Sequence, residues 1–308
     1  MRLTSHDKCI LILFCGLCPT AVVLGWVCWD TIGAAAAVGG VAVVFSVLQV
    51  TTYRHLASQI DARINGVEEL VRKTADDNVK HYRQTEGLFG LYAALAPAVP
   101  LPPMRDYAIS PDFACLLISA VKERRPALIV ETGSGVSTLI LAYCLRRLGG
   151  GRIVALEHDE AYAARGTAEI ERHGLSDVAR VIRAPLIPVK IEGREWRWYD
   201  PARLTERQPI EMLVVDGPPA VTQEMARYPA LPLLRSRLAD DVIVVVDDHD
   251  RDDERRMVKL WLTRYPGFEA TVVNTEKGAA ILRCSRATVE SAGRKVRQAA
   301  GACVATGA

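Results

Sequence analysis

Two uninterrupted apolar runs open the chain. Neither Cys9 to Trp29 nor Thr31 to Tyr53 contains a charged residue, and Asp30 alone separates the two. Each run is about 20 residues, which as helix spans about 30 Å, the thickness of a bilayer's hydrocarbon core. The pattern predicts a two-helix transmembrane hairpin over residues 1–53. Trp26 and Trp29 fall at its turn, where indoles favour the interface. The cations Arg2 and Lys8 precede the pair and Arg54, Arg63, Arg72 and Lys73 follow it. The positive-inside rule then predicts a two-span membrane protein with both termini and any catalytic domain in the cytoplasm. From His55 to about Leu95 the apolar positions change period. Leu56, Ile60, Ile64, Val67 and Val71 recur at steps of three and four, the signature of one helical face. Such a face suits a short parallel coiled coil, and hence a homodimer, or a helix lying on lipid or on a neighbouring domain. Pro97, Pro100, Pro102 and Pro103 then mark a linker over residues 97–110.

Beyond Pro111 short apolar runs alternate with amphipathic ones. Strands are predicted at Ala127–Glu131, Arg152–Glu157, Ala179–Ala184, Glu211–Asp216 and Val242–Asp247. Helices are predicted at Pro111–Arg124, Val136–Leu148, Asp159–His173, Thr222–Leu238 and Arg251–Tyr265. This alternation implies a parallel sheet covered on both faces. The rhythm breaks at the end, where Glu269–Asn274 and Ala279–Cys284 flank Thr275-Glu276-Lys277-Gly278 and read as a closing antiparallel hairpin. Residues 286–308 are small, polar and basic, a composition expected of a disordered tail. The eight cysteines show no framework spacing, and Cys15 and Cys18 sit among apolar neighbours where thiols act as small hydrophobes. A formal net charge of +2 gives no argument for a nucleic-acid partner.

The chemistry concentrates at strand ends. Glu131-Thr132-Gly133-Ser134-Gly135-Val136-Ser137 joins a buried strand to a helix, where glycines let a ligand approach the backbone and the helix N-terminus offers free N–H groups. Glu157 ends the next strand, 24 residues after Gly133. An acid there can accept from both hydroxyls of a ribose, in a dinucleotide or in a nucleoside cofactor. The dinucleotide fingerprint asks for a further glycine where Thr138 stands. The loop also begins with an acid, which suits a cofactor's amino group and repels a pyrophosphate. A second group is acidic: Asp216 ends one strand, and Asp247 and Asp248 end the next. In an open parallel sheet such ends face the ligand. Three carboxylates together need a cation, and hard oxygen ligands suit Mg²⁺ or Ca²⁺. His249 follows the acid pair and is a candidate general base beside Asp216. The connection from Pro185 to Pro209 holds Trp196, Trp198, Tyr199 and Asp200, placed either as a substrate lid or as a small hairpin packed on the domain.

With its ExGxGxS loop, Glu157 and closing hairpin, the stretch from Pro111 to Cys284 resembles class I S-adenosylmethionine-dependent methyltransferases. The resemblance implies a Rossmann-like α/β fold, a seven-stranded, mostly parallel sheet with its last strand antiparallel. It implies S-adenosyl-L-methionine as cofactor, lined by Glu131, Gly133, Gly135 and Ser137 on the methionine side, held by Glu157 at the ribose and approached by His158 at the adenine. The acid cluster is similar to that of metal-dependent catechol-type O-methyltransferases, which implies Asp216, Asp247 and Asp248 as ligands of Mg²⁺. Two departures stand out. The second acid pair lacks that family's amide, and Gly217-Pro218-Pro219-Ala220 follows Asp216 where the family has a lysine. The expected activity is O-methylation of a small molecule or glycan at the membrane face. A membrane-anchored scaffold without turnover and a nicotinamide-dependent oxidoreductase are the rival readings.

Overall fold

The computed structural model describes Val23 and residues 31–284. The chain falls into two units, Met1–Asn78 and Val79–Ala308. A helix, α1, runs over Thr31–Leu95. In the second unit follow α2 (Pro111–Arg124), β1 (Leu128–Thr132), α3 (Val136–Leu148), β2 (Arg152–Glu157), α4 (Glu160–Arg172) and β3 (Ala179–Arg183). Next come β4 (Leu186–Ile191), β5 (Arg194–Tyr199), β6 (Ile210–Val215), α5 (Ala230–Leu234), β7 (Leu238–Asp247), α6 (Asp252–Arg264), β8 (Phe268–Val273) and β9 (Ala279–Cys284).

Among the described residues no helix is long and apolar enough to cross a membrane. This overturns the expected transmembrane hairpin, and with it the expected two-span membrane placement with a cytoplasmic catalytic domain. The run from Cys9 to Trp29 lies outside the described residues. The run from Thr31 to Tyr53 is helical, but it has no end of its own and continues into the charged part of the 65-residue α1. Gly39, Gly40, Ser46, Gln49, Thr51 and Thr52 dilute its hydropathy. The Ser46 and Thr51 hydroxyls donate to Ala42 O and Leu48 O of the same helix, both at 2.9 Å. Leu56, Ile60, Ile64, Val67 and Val71 share the helix as the periodicity predicts, and all are exposed. The predicted tail over residues 286–308 also lies outside the described residues.

Seven strands form the central sheet in the order β3-β2-β1-β6-β7-β9-β8. β1, β2, β3, β6 and β7 run parallel, and β9 is antiparallel to both of its neighbours, as the hairpin signal predicts. The central strands are buried on both faces. On β6, Leu213 and Val215 face one core, whereas Met212 and Val214 face the other. Alternation with burial on each side explains why β1, β6 and β7 read as unbroken apolar runs. One core is filled by α2, α3 and the end of α1, with Leu91, Leu95, Phe113 and Leu117 at its centre. Gln84 ties α1 to α2: its amide donates to Asp112 Oδ2 at 2.8 Å and accepts from Asp112 N at 3.2 Å.

The other core contains the answer to the Pro185–Pro209 connection. β4 and β5 form a separate antiparallel hairpin. Trp196, Trp198 and Tyr199 are buried in the core, so the hairpin reading holds and these indoles are closed to a substrate. The predicted helix over Thr222–Leu238 is reduced to α5, between a 3₁₀ turn at Ala220–Thr222 and another at Arg235–Arg237. Pro229 and Pro232 remove backbone donors there, and a full helix cannot close.

Gly151 turns the chain into β2 with φ near 87°, and a Cβ built on it would lie 2.4 Å from Pro126 O. Gly151→Ala should therefore destabilise the domain by more than about 1 kcal/mol. Gly150→Ala, with open space around its Cβ position, should be close to neutral. Denaturant midpoints of the two variants check this.

Candidate functional site

The strand order reverses direction between β1 and β6, the place where an open parallel sheet sets its ligand crevice, beyond the carboxyl ends. Four acidic strand ends face it, from β2, β1, β6 and β7. The loop after β1 touches the end of β6: Gly133 has φ near 92°, and a Cβ on it would sit 3.5 Å from Asp216 O. Gly133 N–H donates to Leu156 O at 2.9 Å, which ties the same loop to β2.

Glu131 is fully buried beneath this loop. One oxygen accepts from Thr138 Oγ1 at 2.6 Å, and that hydroxyl also accepts from Gly135 N at 3.2 Å. The other oxygen, Oε1, has no hydrogen-bond partner. Burial raises the Glu131 carboxyl to about 7, against the lowering effect of the Ser137 and Thr138 hydroxyls. Thr138 stands where the dinucleotide fingerprint has glycine, and it spends its hydroxyl on fixing this acid. Glu157 is also buried and ordered by the loop. Its Oε2 accepts from Ser134 N and Ser134 Oγ, both at 3.1 Å, and its Oε1 accepts from Asp159 N at 3.0 Å. His158 Nδ1 lies 3.0 Å from Glu157 Oε1, with the ring edge-on to Tyr199 at 6.0 Å. Asp159, not His158, caps α4 by accepting from Tyr162 N. The loop glycines, Ser137, Glu131, Glu157 and His158 thus come together at the ends of β1 and β2.

The second predicted group also converges. Asp216, Asp247 and Asp248 each offer an oxygen within 4.8 Å of the others. Between them stands a residue the sequence analysis missed. Arg227, only 4 % exposed, places Nη2 3.2 Å from Asp216 Oδ1 and 2.7 Å from Asp248 Oδ2. Its Nη1 donates to Asp247 O at 3.1 Å, and its Nε lies 3.7 Å from Glu254 Oε1. Arg251 adds a second cation 3.0 Å from Asp248 Oδ2. The segment that delivers Arg227 is anchored on both sides. Met225 N–H donates to Asp253 Oδ2 at 2.8 Å. Tyr228 stacks on Trp196 at 4.8 Å and accepts from Trp261 Nε1 at 3.0 Å through its carbonyl. Its one trace in the sequence is that Arg227 is the sole charge between Met225 and Leu234. Burial holds the Asp216 carboxyl above its ordinary value despite Arg227, and burial together with its two acidic neighbours holds Asp247 well above its own. Asp216 keeps 22 % of its side-chain surface open, the most accessible acid of the three.

A divalent cation fits this set poorly. Asp216 Oδ1 and Asp248 Oδ2 already face a guanidinium, and although Asp248 Oδ1 is buried without a partner, a metal within bonding distance of Asp216 and Asp248 would sit against Arg227. His249 follows the pair, but its backbone is bound into the hairpin turn through Gly278 O at 3.0 Å. Burial lowers its pKa, so the ring is neutral near pH 7. Tyr199, buried at the end of β5, packs against the end of β6; a Cβ on Gly217 would lie 2.3 Å from its hydroxyl. Gly217 therefore leaves room for that phenol beside Thr132 O and Gly133 N.

Residues 130–249 match a family model described as a methyltransferase domain. With the sheet order above, this match supports reading the region as a class I S-adenosylmethionine-dependent methyltransferase domain, and the chain as an enzyme. It is 28 % identical over 196 residues to a catechol O-methyltransferase of Mycobacterium tuberculosis, covering 60 % of this chain and 81 % of that protein. Among solved structures, it is similar to an S-adenosylhomocysteine-bound methyltransferase from Podospora anserina, with a TM-score of 0.50 and 16 % identity over 68 % of this chain and 95 % of that one. An O-methyltransferase from Bacillus cereus, also solved with S-adenosylhomocysteine, gives a TM-score of 0.48 and 20 % identity, over 68 % and 97 % of the chains.

The raised Glu131 carboxyl has a stability consequence. Between its ordinary value of 4.5 and about 7 the folded chain retains a proton that the unfolded chain has released. Stability therefore falls as pH rises through this window, by up to roughly 3 kcal/mol from this one group. Glu131→Gln should flatten that fall, so the variant gains on the parent between pH 5 and pH 8. Paired thermal melts at the two pH values measure it.

Proposed function

We propose that this chain transfers the methyl group of S-adenosylmethionine to a hydroxyl oxygen of a small molecule. The observation that carries the reading is the buried, unpartnered Oε1 of Glu131 at the base of the Gly133–Gly135 loop. A buried carboxylate oxygen without a donor costs free energy until a ligand supplies one, and the cofactor's ammonium is such a donor. Glu157 stands one strand away to accept from the ribose hydroxyls, with His158 beside it for the adenine. Gly133, Gly135 and Ser137 line the path between them.

The cofactor, when bound, supplies an electrophilic methyl on a sulfonium sulfur. What remains for the chain is to orient the acceptor and take its proton. Asp216 suits the second task. It lies at the strand end next to the loop, it is the most open acid of its cluster, and its raised pKa makes it a stronger base than a free carboxylate. His249 is the second group able to accept a proton at neutral pH. The similarity to a catechol O-methyltransferase supports an oxygen acceptor and makes phenols and catechols the first compounds to try.

Titration of S-adenosylhomocysteine into the full chain should show one saturable site. Glu157→Ala should weaken that binding by at least about 100-fold, the lower end of the worth of two hydrogen bonds to a charged acceptor. Unchanged affinity in both Glu157→Ala and Glu131→Gln would sink the cofactor assignment. Incubation with methyl-labelled cofactor and a panel of phenols should label product, with a rate that rises with pH as the base ionises. Asp216→Asn should remove that rise; if only His249→Gln removes it, the base is His249.

A further inference from the structure

The acid cluster at the ends of β6 and β7 has the ligand types of a divalent-metal site, yet a cation of the chain already stands among them. We infer that Arg227 takes the place of the metal: it is the resident counter-cation of Asp216 and Asp248, and the site works without a divalent ion. This rests on the methyltransferase reading for its purpose but not for its geometry. Nη2 of Arg227 lies 3.2 Å from one carboxylate and 2.7 Å from the other. The guanidinium reaches a third strand-end residue through Asp247 O at 3.1 Å. An exposed arginine could swing aside for an ion, but this one is 4 % exposed, and the residues flanking it are pinned through Asp253, Trp196 and Trp261. A divalent ion would have to settle within a few ångströms of a fixed positive charge in a site of low polarisability, where like charges repel strongly.

Arg227 is thus a positioning residue. By bridging Asp216 to Asp248 it fixes the orientation of the carboxylate that faces the crevice, as a metal would, with no coordination position left for the acceptor. It follows that the acceptor is not held by chelation. A single hydroxyl suffices, and a vicinal diol has no advantage over a lone phenol at this centre.

The experiment is a Mn²⁺ titration of the full chain followed by electron paramagnetic resonance, which separates free from bound ion and needs neither cofactor nor acceptor. The wild-type chain should leave millimolar Mn²⁺ free. Arg227→Ala removes the resident charge and leaves the acids, so it should bind one Mn²⁺ about 100-fold more tightly than the parent or better. Arg227→Lys keeps the charge and should refuse the ion as the parent does. Tight stoichiometric binding to the wild type overturns the inference, as does an Arg227→Ala variant that folds and still refuses the ion. If Arg227→Ala does not fold, the wild-type and Arg227→Lys titrations decide. Loss of S-adenosylhomocysteine binding, by contrast, bears on the cofactor reading and leaves this one standing.

Discussion

A buried guanidinium among carboxylates sets the terms for this domain. Parallel strands that end in a crevice bring Asp216, Asp247 and Asp248 together, and like charges so close cannot be buried alone. Arg227 makes the arrangement tenable, and its position is what the surrounding structure provides. Both partners of such a pair lose hydration, so the pair adds little net stability, whereas loss of one partner strands the other in the core. The arrangement therefore restricts what can change: neither Arg227 nor the strand-end acids can be replaced singly without cost.

The hairpin of β4 and β5 gains its purpose from this constraint. Trp196 carries the stacked ring of Tyr228, next to Arg227, so the insert fixes the position of the guanidinium from the core side. Tyr199, at the end of the same hairpin, brings its phenol against Gly217, immediately after Asp216. The loop after β1 is fixed in a comparable way from the other flank. Ser134 binds Glu157 and Thr138 binds Glu131, so the glycine turn, the strand ends and the first turn of α3 form one hydrogen-bonded unit. The two halves meet where Gly133 lies against Asp216 O, at the junction between the proposed cofactor and acceptor sites.

Much of this was legible in the sequence because it follows from period and position. Apolar runs bounded by turn residues located β1, β2, β6 and β7 within a residue or so at most ends, and the Thr275–Gly278 turn disclosed the antiparallel finish. Strand-end acids were legible because topology alone sends them to the crevice. Arg227 was not, since its role depends on a tertiary turn that Pro229 and Pro232 impose where the periodicity suggested a helix. The need for a cation was visible; that the chain supplied it was not. The aromatic run at Trp196–Tyr199 fitted a lid and a hairpin equally, because burial is decided by what packs above it. The apolar run from Thr31 misled for a related reason. Composition suggested a span, while the helix it joins is continuous and diluted by small and polar residues.

The central claim is that Arg227 and Asp248 are energetically one unit. A double-mutant cycle of Arg227→Met and Asp248→Asn, read from denaturant unfolding of the full chain, tests it most directly. Each single change should cost about 3–5 kcal/mol, and the double variant should be no worse than either, a coupling of several kcal/mol. Additive losses, with the double variant showing both costs in full, would contradict the account and leave Arg227 and Asp248 as neighbours without energetic coupling.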